Sequence, residues 1–195
     1  MIKIIHRVNS IKKLKQVDTS FGVEIDIRSF GDKLILNHEP FENGELFSEW
    51  LKFYNHKFLI LNTKEEGLEE MILLELGKKG INNFFFLDLS FPFLIKLANE
   101  GEKRCAVRLS EFEDIKTVIN LSGLVSWVWV DCFTKFPMTR LELDLLKETH
   151  GFNLCIVSPE LQGRGSETSI KEFVNDINML NLNIDAVCTK YPELW

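Results

Sequence analysis

The chain has 195 residues, of which 45% are hydrophobic, and a formal net charge of −6. This length and apolar content suffice for one globular domain with a substantial core, so we assign residues 1–195 to a single domain. The acidic balance argues against a general nucleic-acid binder, whose surface would be basic.

No segment of the sequence resembles a membrane-directing element. The opening MIKIIHRV lacks the apolar stretch of a signal peptide. The longest uncharged segment, residues 117–130, is too short to span a bilayer. We therefore expect a cytoplasmic protein without stable membrane insertion. The four cysteines are expected to be reduced and buried, because none forms a CxxC spacing; they are Cys105, Cys132, Cys155 and Cys188.

Short apolar runs alternate with helical segments along the whole chain. The runs predict strands at residues 2–6, 23–28, 34–37, 58–62, 84–87, 105–109, 125–130, 154–157 and 184–188. A short helix is expected near residues 10–16. Capping-box patterns predict further helix starts at Ser110, Thr139 and Ser169. Gly80 and Gly151 stand where helices are expected to end.

Strand–helix alternation of this kind indicates an α/β fold. If residues 34–37 form a hairpin arm after the second strand, eight strands remain for a minimal TIM-type (β/α)8 barrel. A doubly wound open sheet is the alternative. No glycine-rich phosphate loop supports a nucleotide site in either fold.

The second predicted strand alternates strictly between apolar and charged residues. Glu24, Asp26 and Arg28 therefore share one face of it. On an edge strand this face would simply be solvated. In a parallel series both faces are covered, and two adjacent carboxylates then need a counter-charge such as a hard divalent cation.

Two histidines stand at predicted strand ends on either side of this acidic strand. His6 ends the first strand and His38 ends the hairpin arm. Barrel chemistry gathers at the C-terminal ends of strands, so the pair is a candidate for acid–base work. His56 and His150 lie in polar contexts and are expected at the surface.

Three segments in order, His6-Arg7, then GVEIDI from residue 22, then LILNHE from residue 34, resemble the signature of the glycerophosphodiester phosphodiesterase family. That family belongs to the phosphatidylinositol phospholipase C-like phosphodiesterases, and this chain resembles a short variant. LNTK at 61–64 and IDAVCTKYP at 184–192 resemble later segments of the family. HRVN at 6–9 is also similar to the start of sphingomyelinase D-type lyases.

The sequence departs from the family pattern at four positions. Val8 replaces a glycine, Glu39 and Lys190 replace aspartates, and Asn62 stands where the family has its third acidic metal ligand. An amide oxygen still binds a hard cation, but it contributes no charge. The departure at Asn62 therefore bears on metal affinity more than on fold.

The resemblance implies a metal-dependent hydrolase that cleaves a glycerol- or sugar-linked phosphodiester, in lipid or glycan metabolism. His6 and His38 would act as acid and base, and Glu24, Asp26 and Asn62 would hold Mg²⁺ or Ca²⁺. Arg7 and Lys64 are the natural phosphate partners because of their charge. Charged residues at other strand ends are candidates for substrate recognition, because those ends face the active end of a barrel: Asp88, Arg108, Asp131, Glu160 and Arg164. The segment IVSPELQGR at 156–164 resembles short relatives among bacterial surface-polysaccharide functions, which favours a sugar-linked substrate.

Two other functions are also compatible with the sequence. A metal-independent phospholipase C-like lyase would use the same histidines, with Arg7 or Lys64 as electrophile. A catalytically silent barrel would bind a phosphorylated glycan or a protein, which Asn62 and Lys190 favour. In each enzymatic reading the partner is a small-molecule phosphodiester, and the sequence is compatible with an oligomer.

Overall fold

The computed structural model describes all 195 residues, and its centre is a closed ring of eight parallel strands. The ring strands, in chain order, are β1 Ile2–Ile5, β2 Gly22–Phe30, β5 Leu59–Thr63, β6 Phe84–Leu87, β7 Ala106–Leu109, β8 Trp127–Val130, β9 Asn153–Val157 and β10 Ala186–Thr189. Each except β6 pairs with the next, and β10 pairs back with β1. A single bridge, Phe86 to Cys105, joins β6 to the chain just before β7. The predicted TIM-type barrel is confirmed.

Two further strands, β3 Lys33–Leu36 and β4 Glu45–Leu46, lie outside the ring. β3 pairs antiparallel with the C-terminal half of β2, and β4 pairs with β3. The predicted hairpin arm at residues 34–37 is therefore confirmed. It lengthens β2 beyond its neighbours at the C-terminal end of the barrel.

The helices that cover the barrel are short, which allows 195 residues to complete it. They are α1 Ile11–Leu14, α2 Phe47–Trp50, α3 Glu69–Lys78, α4 Phe91–Asn99, α5 Ile115–Ile119, α6 Arg140–Asp144 and α7 Glu167–Met179. A π-helix, Leu145–Thr149, continues α6, and 3-10 turns occupy Pro159–Gln162 and Pro192–Leu194.

One of the three predicted capping boxes is real. Thr139 and Glu142 bond each other's backbone N–H groups at the start of α6. The other two predicted starts are wrong. Asp114, not Ser110, caps α5, and Ser166 caps α7 by accepting from the N–H of Ser169 inside that helix.

Two apolar layers hold the barrel together. Alternate strand residues fill the interior, where Phe85, Trp127 and Trp129 pack with smaller side chains such as Ile60. The residues between them face outward and join the helices in a larger layer of 41 buried side chains. Alternate residues of a strand point to the same face. Since Ile60 of β5 points into the barrel, Asn62, at the C-terminal end of the strand, also points into it. The interior thus changes from apolar to polar at that end.

All four cysteines are buried and free, as predicted. His56 departs from the expectation of a surface residue, since it is 8% exposed and its Nε2 lies 3.1 Å from the Val17 carbonyl. No helix has both the length and the apolar character needed to cross a membrane.

Candidate active site

The acidic pair of β2 lies inside the barrel at its polar end. Glu24 and Asp26 are at most 1% exposed, whereas the outward Val23, Ile25 and Ile27 pack beneath the helices. Burial, and then the neighbouring charge of Asp26, raise the pKa of Glu24 to about 7. Two ionised carboxylates buried side by side are unfavourable unless a positive charge compensates them.

The turn after β1 brings His6 and Arg7 to the acidic pair. Arg7 has a positive φ of 53°, uncommon for a residue with a side chain, and its N–H donates to Glu24 Oε2 at 2.7 Å. His6 Nε2 lies 3.9 Å from the same oxygen, and Arg7 Nε lies 3.7 Å from Asp26 Oδ2. Burial, and then the charge of Arg7, lower the pKa of His6 to about 3.

Two residues of this turn were not among the predicted site residues. The Asn9 side chain donates to Asp26 Oδ2 at 2.8 Å and accepts from the Asp26 N–H at 2.9 Å. The Lys13 ammonium donates to the carbonyls of His6 and Arg7 at 2.9 and 2.8 Å. The resemblance of the HRVN segment pointed to Asn9. Nothing in the sequence pointed to Lys13, because its contacts depend on the conformation of the turn.

Asn62 extends the site onto the neighbouring strand. It is paired in register with Asp26 and is buried. Four polar atoms of the site are shielded from solvent and make no hydrogen bond: Asn62 Oδ1, Glu24 Oε1, His6 Nδ1 and Asp26 Oδ1, the last of which is paired with the Lys64 ammonium. Buried polar atoms are rarely left in this state, so the site is incomplete without a ligand.

The three unbonded oxygens suit a hard divalent cation. Two belong to carboxylates and one to an amide, which are the ligand types that Mg²⁺ and Ca²⁺ bind. No group of three or more His, Cys, Asp or Glu side chains is arranged to hold a metal. The reason here is that the third oxygen comes from Asn62, so a bound ion would meet two formal charges.

A chain of ion pairs continues from the acidic pair across the barrel. Lys64 Nζ lies 3.2 Å from Asp26 Oδ1 and 3.6 Å from Asp88 Oδ2. Arg108 donates to Asp88 Oδ1 at 2.8 Å from Nε, and also to Asp131. Asp88, like Arg7, has a positive φ, of 63°. The structure thus joins the predicted Lys64 to the acidic pair directly, and the predicted Arg108 to it through Asp88 and Lys64.

His38 follows β3 but makes no hydrogen bond or ion pair with His6, Glu24 or Asp26. Its Nδ1 lies 2.6 Å from Glu39 Oε1, and its carbonyl accepts from Arg28 Nε. The residue before it donates from its N–H to the Asp26 carbonyl, which places His38 beside the acidic strand. Its role as the second catalytic histidine stays a prediction.

Glu160 and Arg164 are held by hydrogen bonds within the protein. Glu160 accepts from Thr189 Oγ1 at 2.6 Å and from the Lys190 N–H at 2.8 Å, and it is also bonded to Ser158. Arg164 donates to the carbonyls of Thr134 and Cys132. Their predicted part in substrate binding stays a prediction.

No family model matches the chain, and no curated protein matches it. Solved structures do. A glycerophosphodiester phosphodiesterase from Agrobacterium tumefaciens str. C58 has a TM-score of 0.69 and 12% identity, covering 100% of this chain and 99% of its own. A glycerophosphoryl diester phosphodiesterase from Parabacteroides distasonis ATCC 8503 has a TM-score of 0.68 and 12% identity, with 99% and 84% covered.

A more distant likeness is to a mutant tryptophan synthase α-subunit from Pyrococcus furiosus. Its TM-score is 0.58 and its identity 13%, with 98% of this chain and 88% of that one covered. At these identities the likeness concerns the fold. The phosphodiesterases match better over the full length, and the chain therefore has the fold of the glycerophosphodiester phosphodiesterases.

Proposed function

We propose that this protein is a metal-dependent phosphodiesterase that hydrolyses a small glycerol- or sugar-linked phosphodiester, in the cytoplasm. The observation that carries the proposal is the group of four buried polar atoms without a hydrogen bond, contributed by His6, Glu24, Asp26 and Asn62, of which only Asp26 Oδ1 has a cation, Lys64, beside it. They gather at the C-terminal end of a barrel, where barrel enzymes place their chemistry. The likeness in fold to two phosphodiesterases supports the same activity.

Glu24, Asp26 and Asn62 would hold Mg²⁺ or Ca²⁺ through Oε1, Oδ1 and Oδ1, and at Asp26 the ion would share the oxygen with Lys64. When bound, such an ion supplies charge neutralisation at a phosphoryl oxygen. Asn9 keeps Asp26 in place from both its backbone and its carboxylate. The Arg7 N–H does the same for one oxygen of Glu24, which leaves the other oxygen free.

Arg7 and Lys64 would bind the phosphate. The Arg7 guanidinium is next to Asp26 Oδ2 and the Lys64 ammonium is next to Asp26 Oδ1. Both are therefore close to the proposed cation position. A guanidinium binds phosphate as a planar fork and an ammonium binds it as a point charge. The anionic substrate would share these cations with Asp26.

The two histidines would divide the proton transfers. His6 Nδ1 makes no hydrogen bond, and burial together with the charge of Arg7 keeps the imidazole neutral near pH 7, so Nδ1 would accept a proton from the attacking water. His38 shares Nδ1 with Glu39, which leaves Nε2 to donate a proton to the departing alcohol. We therefore assign His6 as base and His38 as acid.

A metal-independent lyase is the second candidate, and the contacts of Asp26 favour it. Lys64 Nζ already lies 3.2 Å from Oδ1 and Arg7 Nε lies 3.7 Å from Oδ2. Two cations at the acidic pair, together with a neutral Asn62, lower the need for a metal. In this reading a neighbouring hydroxyl of the substrate attacks and a cyclic phosphate is released.

The test is a panel of glycerol- and sugar-linked phosphodiesters, followed by ³¹P NMR with Mg²⁺, with Ca²⁺ and with chelator. We expect a monoester product that requires the cation and is lost in His6→Asn and His38→Asn. A cyclic product that persists in chelator would select the lyase. Absence of cleavage across the panel would count against both enzymatic proposals and favour the remaining alternative, a barrel that binds a phosphorylated glycan or a protein partner.

A further inference from the structure

A buried carboxylate lies at the C-terminal ends of β9 and β10, next to the strand that ends at His6. Glu160 belongs to the short turn that follows β9, and it is 9% exposed. Its Oε1 accepts from the Thr189 hydroxyl at 2.6 Å and from the Lys190 N–H at 2.8 Å. Its Oε2 accepts from the Ser158 hydroxyl. Both oxygens are thus bonded to donors of the protein itself.

One peptide group links Glu160 to His6. The carbonyl of Thr189 and the N–H of Lys190 are the two polar groups of a single planar peptide. That N–H donates to Glu160, and that carbonyl accepts from the His6 N–H at 3.0 Å. Hydrogen bonds in a chain polarise one another, so a carboxylate on the N–H side strengthens the bond on the carbonyl side. Glu160 therefore fixes the orientation of the peptide to which His6 is bonded.

The His6 imidazole depends on its backbone for its position. Its Nδ1 makes no hydrogen bond, and its Nε2 comes no closer than 3.9 Å to Glu24. The backbone is held at both polar groups, because the N–H donates to the Thr189 carbonyl and the carbonyl accepts from the Lys13 ammonium at 2.9 Å. A movement of the Thr189 peptide would therefore also move the imidazole.

Further contacts hold Glu160 itself in place. The Ser158 hydroxyl, which donates to it, accepts from Trp195 Nε1 at 3.0 Å. The Ser158 N–H donates to the Cys188 carbonyl at 3.0 Å, which ties the end of β9 to β10. Ser158 and Thr189 are fully buried. A buried polar network in which the members are satisfied rigidifies the chain and specifies one arrangement of it.

We infer that Glu160 is a positioning residue that holds the His6 imidazole through the Thr189 carbonyl. The inference rests on the proposed phosphodiesterase function, and it gives Glu160 a role inside the protein instead of a contact with substrate. Loss of a positioning residue disturbs the geometry of proton transfer, so kcat should fall while KM stays the same. Loss of a residue that binds the substrate in the ground state and transition state alike would raise KM instead.

Steady-state kinetics of Glu160→Ala and Glu160→Gln, on the substrate that the panel identifies, tests this role. We expect kcat to fall about tenfold in Glu160→Ala, with KM within about twofold of the wild type. Glu160→Gln keeps an oxygen that can accept from both donors, so it should restore kcat to within about threefold. Glu193→Ala is the matched control, because Glu193 is exposed in the turn after β10, and it should change neither constant. An unchanged kcat in Glu160→Ala, or a rise in KM alone, would overturn the inference.

Hydrogen exchange of the His6 amide, measured by NMR, gives a second readout that does not require cleavage. We expect exchange about fivefold faster in Glu160→Ala than in the wild type. The reference is the Asp185 amide, which is bonded to the Leu154 carbonyl just before β10, at the opposite end of the strand, and should be unaffected. Equal exchange of the His6 amide in both proteins would contradict the proposed link.

Thr189→Val and Thr189→Ser keep the test decisive if Glu160→Ala does not fold. Valine removes one donor to Glu160 with almost no change in volume, whereas serine retains it. The valine variant alone should therefore show faster exchange of the His6 amide, by about threefold. The same rate in the two variants would count against the inference. Failure of the phosphodiesterase proposal would appear separately, as an absence of cleavage across the panel, and the exchange of the His6 amide would still decide whether Glu160 holds His6.

Discussion

The N–H of Arg7 donates to Glu24 Oε2 at 2.7 Å while Arg7 itself holds a left-handed backbone conformation. The two facts are linked, because the turn after β1 must reverse for the N–H to reach the barrel interior. A glycine would adopt this conformation without strain. Here a residue with a side chain occupies it, and its guanidinium reaches Asp26.

Arg7→Gly and Arg7→Ala should therefore differ in stability although both lose the guanidinium. We expect the glycine variant to be more stable than the alanine variant by about 1 kcal/mol, since alanine retains the steric cost of a positive φ. Urea unfolding of the two variants measures the difference. Phosphodiester cleavage should fall strongly in both. An alanine variant as stable as the glycine variant would mean that the turn relaxes out of the left-handed region.

Lys13 fixes the same turn through the carbonyls of His6 and Arg7. Lys13→Met keeps most of the side-chain length and removes both hydrogen bonds, so we expect a loss of about 1–2 kcal/mol in the free energy of unfolding. The Arg7 amide should also exchange its hydrogen faster. Lys12→Met is the matched control, because Lys12 is exposed and contacts neither carbonyl. Equal exchange of the Arg7 amide in both variants would contradict the role given to Lys13.

The parts of the site that follow from strand periodicity could be predicted from the sequence. The alternation in β2 predicted that Glu24 and Asp26 share one face, which the structure places inside the barrel. Asn62 was predicted from the resemblance of LNTK to the family pattern, and the structure pairs it in register with Asp26. The cross-barrel ion pairs of Asp88 could not be predicted, because they depend on how neighbouring strands align. Lys13 was missed for a similar reason, since its bonds depend on a turn without the usual glycine.

The errors in the predicted helix starts have a local cause. A serine three residues before a glutamate is a common pattern, and it occurs at Ser110 and Ser169 without forming a cap. In the first case a nearby aspartate, Asp114, is the cap; in the second, Ser166 begins the helix one turn earlier. The pattern alone does not decide among neighbouring residues that are all good caps.

The raised pKa of Glu24 gives a pH-dependent stability. Its pKa is about 7 in the folded protein against 4.5 for the ordinary group, so the folded state holds the proton more tightly. The resulting stability is fully present below pH 4.5 and is lost as the pH rises through 7. His6 acts in the opposite direction: its pKa is about 3 against 6.5, so its contribution is lost as the pH falls below 6.5.

Glu24→Gln should separate the contribution of Glu24 from that of His6, because the wild type and the variant both retain His6. Between pH 4.5 and 8, without divalent cations, the wild type should lose about 1–3 kcal/mol of stability relative to the variant. Urea unfolding across this range measures the difference. If the difference between the two proteins stays constant with pH, Glu24 is ionised throughout and the buried pair is stabilised in another way.

Asn62 is the position at which added charge should tighten a bound cation. Its oxygen is buried, unbonded and in register with Asp26, so Asn62→Asp adds a carboxylate with almost no change in volume. With an effective dielectric constant near 20, a carboxylate about 2.3 Å from a divalent ion contributes a Coulomb energy of order ten kcal/mol. Most of it is offset, since a carboxylate costs more to dehydrate than an amide and the amide also binds the ion. We expect Mg²⁺ or Ca²⁺ to bind at least about tenfold more tightly.

Titration calorimetry of the wild type and Asn62→Asp measures this change. Asn83→Asp is the control, because it adds the same charge just before β6, at the opposite end of the barrel. Without cation, Asn62→Asp should be less stable than the wild type, since three carboxylates then share one buried site. Catalysis need not rise with affinity, because a more fully neutralised ion withdraws less charge from the phosphate. Equal affinities in the wild type and Asn62→Asp would place the cation out of reach of Asn62, and the two cations on Asp26 would then favour the lyase.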